Sequence, residues 1–200
     1  MHTPIRLVAG LGNPGREYAN TRHNAGFWFV DELAAGLNAS FAVESKFGGE
    51  VAKAGAMRLV KPMTFMNLSG RAVSGLARFY AILPAEILVV HDELDLLPGK
   101  AKMKFGGGHA GHNGLRDVQA QLGSPDFWRL RIGIGHPRDS ELTQQDVVDY
   151  VLKPPRAEER AAMDEAMHRA LKAWPAIAQG DMEGAMMTLH TKTSSGPGPA

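Results

Sequence analysis

Short apolar runs alternate along the chain with longer amphipathic stretches, and the alternation predicts an α/β protein. The largely apolar run at 5–9 stops at Gly10, as a strand buried on both faces would. Residues 24–37 suit a helix, with Asn24 as N-cap and Gly36 near its end. Strands are expected over 41–47 and 51–60, broken by Gly48-Gly49 and Gly55. A second helix starts from Ser69 as cap, carries Val73, Leu76, Ala77 and Tyr80 on one stripe, and is stopped by Pro84. Residues 87–90 form another buried strand, which ends at His91-Asp92.

The next two strands have split faces. In 100–105, alternation sets Lys100, Lys102 and Lys104 against Ala101, Met103 and Phe105. In 129–135, Arg129 and Arg131 share a face with Gly133 and Gly135, opposite Leu130, Ile132 and Ile134. If these strands are neighbours, the lysines and arginines form one positive surface. Between them Asn113 or Gly114 opens a helix with Leu115, Val118 and Leu122 inward, closed by Gly123. A longer helix over 156–174 buries Met163, Met167, Ala170 and Trp174, its methionines serving as core filler. A short helix follows over 182–189. One domain over 1–190 accounts for all of this, and the Ser-, Gly- and Pro-rich residues 191–200 are expected to be a disordered tail.

Composition narrows the chemistry. The 200 residues contain no cysteine, which removes disulfides, thiolate metal sites and a cysteine nucleophile, and fits a cytoplasmic protein. The apolar run after Met1-His2-Thr3-Pro4 is too short for a signal peptide or membrane span. Net charge is only +1, but seven basic residues (Lys100, Lys102, Lys104, Arg116, Arg129, Arg131 and Arg138) face two acidic ones (Asp117 and Asp126) over 99–138. That local excess suits either a phosphate-facing surface or a solubilising face.

Four segments crowd acid–base and amide side chains against glycines where apolar runs stop. They are Gly10-Leu11-Gly12-Asn13-Pro14-Gly15 running on to Thr21-Arg22-His23-Asn24, Phe65-Met66-Asn67-Leu68-Ser69-Gly70, His91-Asp92-Glu93-Leu94-Asp95, and Gly106-Gly107-Gly108-His109-Ala110-Gly111-His112-Asn113-Gly114. The first matches a dinucleotide fingerprint, but no helix begins at its glycines, so no pyrophosphate-binding helix end would be present. Ser69 lies in no G-x-S-x-G elbow, which argues against a serine nucleophile. What remains is an imidazole, a carboxylate and neutral amides, the inventory for water-mediated cleavage of a carbonyl ester. Asp92 is the natural partner for His23, although Glu93 and Asp95 compete on sequence alone. His109 and His112 fall on a glycine-rich turn with no evident ligand geometry, so no metal is expected.

These motifs, in this order, with Arg129-Leu130-Arg131-Ile132-Gly133-Ile134-Gly135-His136-Pro137 after them, resemble those of the bacterial peptidyl-tRNA hydrolase family from about Ile5 to Leu189. Its departures from the pattern, a shortened loop at Gly123-Ser124-Pro125 and a divergent tail, leave the motifs intact. The resemblance implies a monomeric single α/β domain, a twisted mixed β-sheet flanked by helices on both faces, and no metal or cofactor. The implied reaction is hydrolysis of the ester between a peptide and the 3′ ribose of tRNA. His23 would be the base, with a helix N-terminus keeping its imidazole neutral, Asp92 its partner, and Asn13 the residue that tells a blocked peptide amide from a free α-amine. Asn67 and Asn113 would position substrate or water, with Tyr18, Phe65 and Met66 lining the cleft. Lys104 and Arg131 would clamp the tRNA 5′ phosphate, with the other basic residues of the segment adding diffuse attraction. Two alternatives are a non-catalytic module that holds an RNA 3′ end and a general esterase of small acyl substrates.

Overall fold

A computed structural model describes residues 2–137 and 146–190, so Arg138 and the expected tail over 191–200 lie outside the described residues. Seven strands form one mixed sheet in the order β2-β3-β4-β1-β5-β7-β6. They are β1 (Leu7–Gly10), β2 (Ala42–Glu44), β3 (Gly49–Ala54), β4 (Met57–Pro62), β5 (Ile87–Glu93), β6 (Ala101–Phe105) and β7 (Trp128–Gly133). The central strands β4, β1, β5 and β7 run parallel, while β3 and β6 run antiparallel to their inner neighbours. Parallel strands are buried on both faces, which is why 7–10 and 87–90 read as apolar runs.

Helices cover both faces, as expected. One face packs under α1 (Ala25–Gly36), α5 (Ala157–Lys172), α6 (Trp174–Gln179) and α7 (Met182–His190), with Phe29, Leu88, Leu130, Met163 and Met167 in its core. The other packs under α2 (Gly70–Phe79) and α3 (Asn113–Leu122) around Leu7, Val60, Leu76 and Phe127. A short helix, α4 (Val147–Val151), completes the chain fold. No helix among the described residues is long and apolar enough to cross a membrane.

Several local expectations are revised. The strand over 41–47 shrinks to three residues at the sheet edge, where Val43 is exposed. Strand β5 continues through His91 and Asp92 to Glu93, because β7 pairs with it as far as Glu93↔Gly133, so polar residues enter the sheet where hydrophobicity alone ends it. Phe105, expected inward, is exposed at the end of the edge strand. Asn24 and Ser69 make no cap hydrogen bonds, their side chains being engaged elsewhere. The first amide of α2 is instead satisfied by Asp117 of α3, Gly70 N–H donating to its Oδ2 at 2.7 Å. Helix α3 is capped by His112 rather than Asn113, with Leu115 N–H donating to His112 Nδ1. The split strands do adjoin, with Lys102 opposite Arg131 and Lys104 opposite Arg129.

The glycines of the first motif have a packing role. A Cβ on Gly10 would fall 2.3 Å from the Gly26 carbonyl oxygen, and one on Gly26 would fall 2.4 Å from that of Val90. Helix α1 therefore meets the ends of β1 and β5 backbone to backbone, and this close approach carries the preceding turn onto the sheet's carboxyl edge. Gly26→Ala has only backbone to push against. It should cost at least the roughly 1–3 kcal/mol of an overpacked core, measured by denaturant unfolding; an unchanged midpoint would mean that α1 can shift away freely.

Candidate functional site

Strands β1, β4, β5 and β7 end side by side, and the loops beyond them enclose a cleft of about 510 Å³. This is where open α/β sheets place ligands. The residues to which the resemblance gives a catalytic, substrate or phosphate role all line it: Asn13 after β1, Tyr18 and His23 before α1, Phe65, Met66 and Asn67 after β4, Asp92 on β5, Lys104 on β6, Asn113 at the start of α3 and Arg131 on β7, whereas Lys100, Lys102 and Arg116 do not.

At its centre Asp92, 2% exposed, accepts a hydrogen bond on each carboxylate oxygen. His23 Nδ1 lies 2.9 Å from Oδ2, and His112 Nε2 lies 2.9 Å from Oδ1. Two local contacts assign the protons. His112 Nδ1 accepts the Leu115 amide, so its ring proton sits on Nε2 and points at Asp92. His23 likewise donates from Nδ1, which leaves its Nε2 lone pair as the basic atom. Burial lowers the His23 pKa, but the attraction of Asp92 and its hydrogen bond outweigh this and raise it above the ordinary 6.5. The expected helix-terminus effect is therefore not dominant. Burial would raise the Asp92 pKa, yet the two imidazoles hold it well below the usual carboxylate range. His91, fully buried beside them, is pushed down to about 3, chiefly by burial and with His112 and Arg129 acting in the same direction against the opposing pull of Asp92, and donates from Nδ1 to the Asp92 carbonyl at 2.7 Å.

Donor atoms of His23, Asp92 and His112 lie within 4.8 Å of one another, a spacing that could bracket a cation. In the sequence His112 looks like a residue of a glycine-rich turn, which hides this cluster. The available signal was its place three residues before Leu115 at a helix start, which is N-cap spacing. Both carboxylate oxygens are already satisfied by imidazole donors, so the hydrogen-bonded cluster is complete in itself. Ser69, fully buried, donates its hydroxyl to the Met66 carbonyl at 2.7 Å, which leaves it no approach to a substrate.

Of the three amides, Asn13 is held more tightly than turn chemistry would require. Asn24 reads both backbone groups of Asn13, accepting from its N–H and donating to its C=O at 2.9 Å each. The Met66 amide donates to Asn13 Oδ1 at 2.7 Å, which fixes that side chain's orientation and presents its Nδ2–H as the group for the cleft. Asn67 and Asn113 are exposed on the rim, and Tyr18 and Phe65 pack edge to face at 6.3 Å.

On the basic side the two arginines part company. Arg129 is 2% exposed and donates to the carbonyls of Gly107 and Gly108 at 2.8 and 2.6 Å, so it braces the glycine-rich loop and presents little of its side chain to the positive surface expected of it, although it lines the cleft. Arg131 is only partly covered and is aligned by Glu93, which accepts from its Nε at 2.8 Å. Lys104 is exposed. The apolar wall formed by Val147, Val148, Val151 and Leu152 was not anticipated, because α4 is too short to show a periodic signal.

Comparison with known proteins agrees with this architecture. A family model for peptidyl-tRNA hydrolase matches residues 7–196. A peptidyl-tRNA hydrolase of Bordetella petrii is 60% identical over 195 residues, covering 96% of this chain and 92% of its own. Another from Neisseria gonorrhoeae is 57% identical over 196 residues, covering 96% and 100%. The crystal structure of a peptidyl-tRNA hydrolase from Acinetobacter baumannii superposes with a TM-score of 0.88 at 44% identity, covering 96% of this chain and 97% of its own. The fold defines a single-domain α/β protein, with a candidate site in the cleft at the carboxyl ends of a mixed sheet. Within that class, the chain belongs to the peptidyl-tRNA hydrolase family.

An NMR titration of the imidazoles tests the central cluster directly. In the native protein His23 should titrate above 6.5. Asp92→Asn removes the raising influences and leaves burial, so the His23 value should fall below 6.5; an unmoved value would mean that Asp92 does not control that ring.

Proposed function

We propose that this protein hydrolyses the ester between a peptide and the 3′ ribose of tRNA, with His23 activating the attacking water. The observation that carries this reading is the His23–Asp92 hydrogen bond at 2.9 Å, which orients a basic Nε2 toward the cleft. Merely binding an RNA end would need no such pair. In this mechanism Nε2 takes a proton from water as the oxygen attacks the ester carbonyl carbon. Asp92 stabilises the imidazolium that forms. Asn67 and Asn113 donate to the tetrahedral oxyanion, and its collapse breaks the bond to the ribose oxygen, which takes back the proton from His23. The water is the nucleophile, with no covalent enzyme intermediate and no metal or cofactor.

Asn13 supplies selectivity. With Oδ1 committed to Met66, its amide can only donate, which suits a peptide carbonyl and gives nothing to the ammonium of an unblocked aminoacyl ester. Tyr18, Phe65 and Met66 form the apolar side of the cleft. Lys104 and Arg131 take a tRNA phosphate without reading sequence, as an enzyme serving many tRNAs requires. The protein works as a monomer in the cytoplasm, where its substrate arises.

N-acetyl-aminoacyl-tRNA should be deacylated while the unblocked aminoacyl-tRNA is largely spared. Equal rates would remove the selectivity assigned to Asn13, and no hydrolysis of either would point to a binding module. His23→Ala should lower turnover by about 10²–10⁴-fold in a protein that still binds tRNA.

Lys104→Ala and Arg131→Ala should each weaken binding more than chemistry and flatten the log–log salt dependence by roughly one unit. Their effect should be larger on full tRNA bearing a 5′ phosphate than on a short 3′ fragment. Equal losses on both would assign the pair to the cleft itself.

A further inference from the structure

Arg22 precedes His23 in a three-residue 3-10 turn, Arg22–Asn24, and is 7% exposed. Its side chain runs away from the basic surface into the body of the protein. Nη1 donates to the carbonyls of Tyr150 and Lys153 at 3.0 and 3.3 Å, where α4 ends. Nη2 donates to Glu159 Oε1 at 3.1 Å, in the first turn of α5, and the guanidinium lies 3.9 Å over the Tyr150 ring. The Arg22 backbone N–H reaches the Lys153 carbonyl at 3.1 Å. Tyr150 in turn donates its hydroxyl to the Ile134 carbonyl at 2.6 Å, and Glu159 Oε1 also accepts the Arg156 amide at the start of α5.

Helix α4 is five residues long, far below the length at which a helix holds itself. Its position is set by what grips it, and Arg22 grips its carboxyl end, where terminal carbonyls welcome a cation. The same three-residue turn is anchored at two further points, His23 on Asp92 and Asn24 on the Asn13 backbone. One turn therefore joins the apolar wall, the base and the selectivity amide. Burying the charge is a costly way to gain stability, since Nε finds no hydrogen-bond partner and apolar replacements of buried ion pairs are often neutral or stabilising.

We propose that Arg22 is a positioning residue for the hydrolysis, locking the His23 turn and the α4 wall into one unit so that the base stays in register with Asp92 and with substrate held against the wall. The inference rests on the function proposed above. It gives Arg22, Tyr150 and Glu159 a shared task that none of them performs by touching substrate.

The test compares Arg22→Met, Arg22→Lys and Glu159→Gln with the native protein by thermal unfolding, by kcat and KM on N-acetyl-aminoacyl-tRNA, and by the NMR titration of His23. Misplacement of a catalytic group by about 1 Å can cost about 10²-fold. Arg22→Met should thus lower kcat by roughly 10–100-fold, at a temperature where it is fully folded, and raise KM as the wall loosens. Arg22→Lys keeps the charge and the Glu159 pair but loses the fork and recovers only part of the rate. In both, the His23 pKa should fall toward its ordinary value as the Asp92 hydrogen bond slackens, and the lysine variant shows that this does not come from lost charge.

A folded Arg22→Met with native kcat, KM and His23 titration, changed only in melting temperature, would overturn the proposal. Should Arg22→Met fail to fold, Glu159→Gln carries the same readouts, with about a 3–10-fold loss of kcat for the weaker misplacement expected; native values there would equally overturn it. Inactivity of the native protein on this substrate would instead contradict the proposed function, whereas the His23 titration bears on Arg22 either way.

Discussion

The buried carboxylate of Asp92 is the constraint on which the site depends. An anion with 2% exposure is tolerable only if both oxygens are satisfied, and here each takes one imidazole N–H. That requirement fixes the geometry around it. His112 must present Nε2–H, which its cap contact to Leu115 guarantees, and His23 must present Nδ1–H, which turns Nε2 outward. One desolvated charge thus selects two tautomers, ties the glycine-rich loop to the first motif, and raises the basicity of the ring that faces the cleft.

The backbone around it is arranged to make that meeting possible. Close contact of Gly10 with Gly26 and of Gly26 with Val90 brings α1 onto the sheet edge, so the 3-10 turn ahead of it lands beside the end of β5. Asn24, freed from capping, reads the Asn13 backbone, and Asn13 in turn is read by Met66. Across the sheet Arg129, which also lines the cleft, props up the glycine-rich loop, while Arg131 and Lys104 are the more exposed cations there. The sheet edge and the turn ahead of α1 thus carry His23 and the carboxylate that holds it, while the exposed amides of Asn67 and Asn113 stand on the rim.

Much of this was legible in the sequence, for identifiable reasons. Buried parallel strands announce themselves as apolar runs, and strict alternation in Lys100–Phe105 and Arg129–Gly135 showed two-faced strands that do pair. Local signals failed wherever a distant partner took over. Asn24 looks like a cap, but Asn13 holds its side chain; Ser69 fails as a cap for a local reason, its hydroxyl donating to the Met66 carbonyl three residues back. Pairing with β7 extends β5 beyond its apolar residues. Alternation put Arg129 and Arg131 on one face, yet only the fold of the Gly106–Gly108 segment decides that one is covered and the other is not. The helix α4 wall and the His112 contact depend on residues far apart in sequence, which no periodicity encodes.

The most direct measurement is the pH dependence of kcat/KM, which reports the ionisation of the free enzyme's essential base, set beside the His23 pKa from NMR on the same protein. If His23 held by Asp92 is that base, activity falls as pH drops through an apparent pKa above 6.5, and the kinetic and spectroscopic values coincide. An acid limb that lies elsewhere, or that persists unchanged when His23 is replaced, would contradict the assignment.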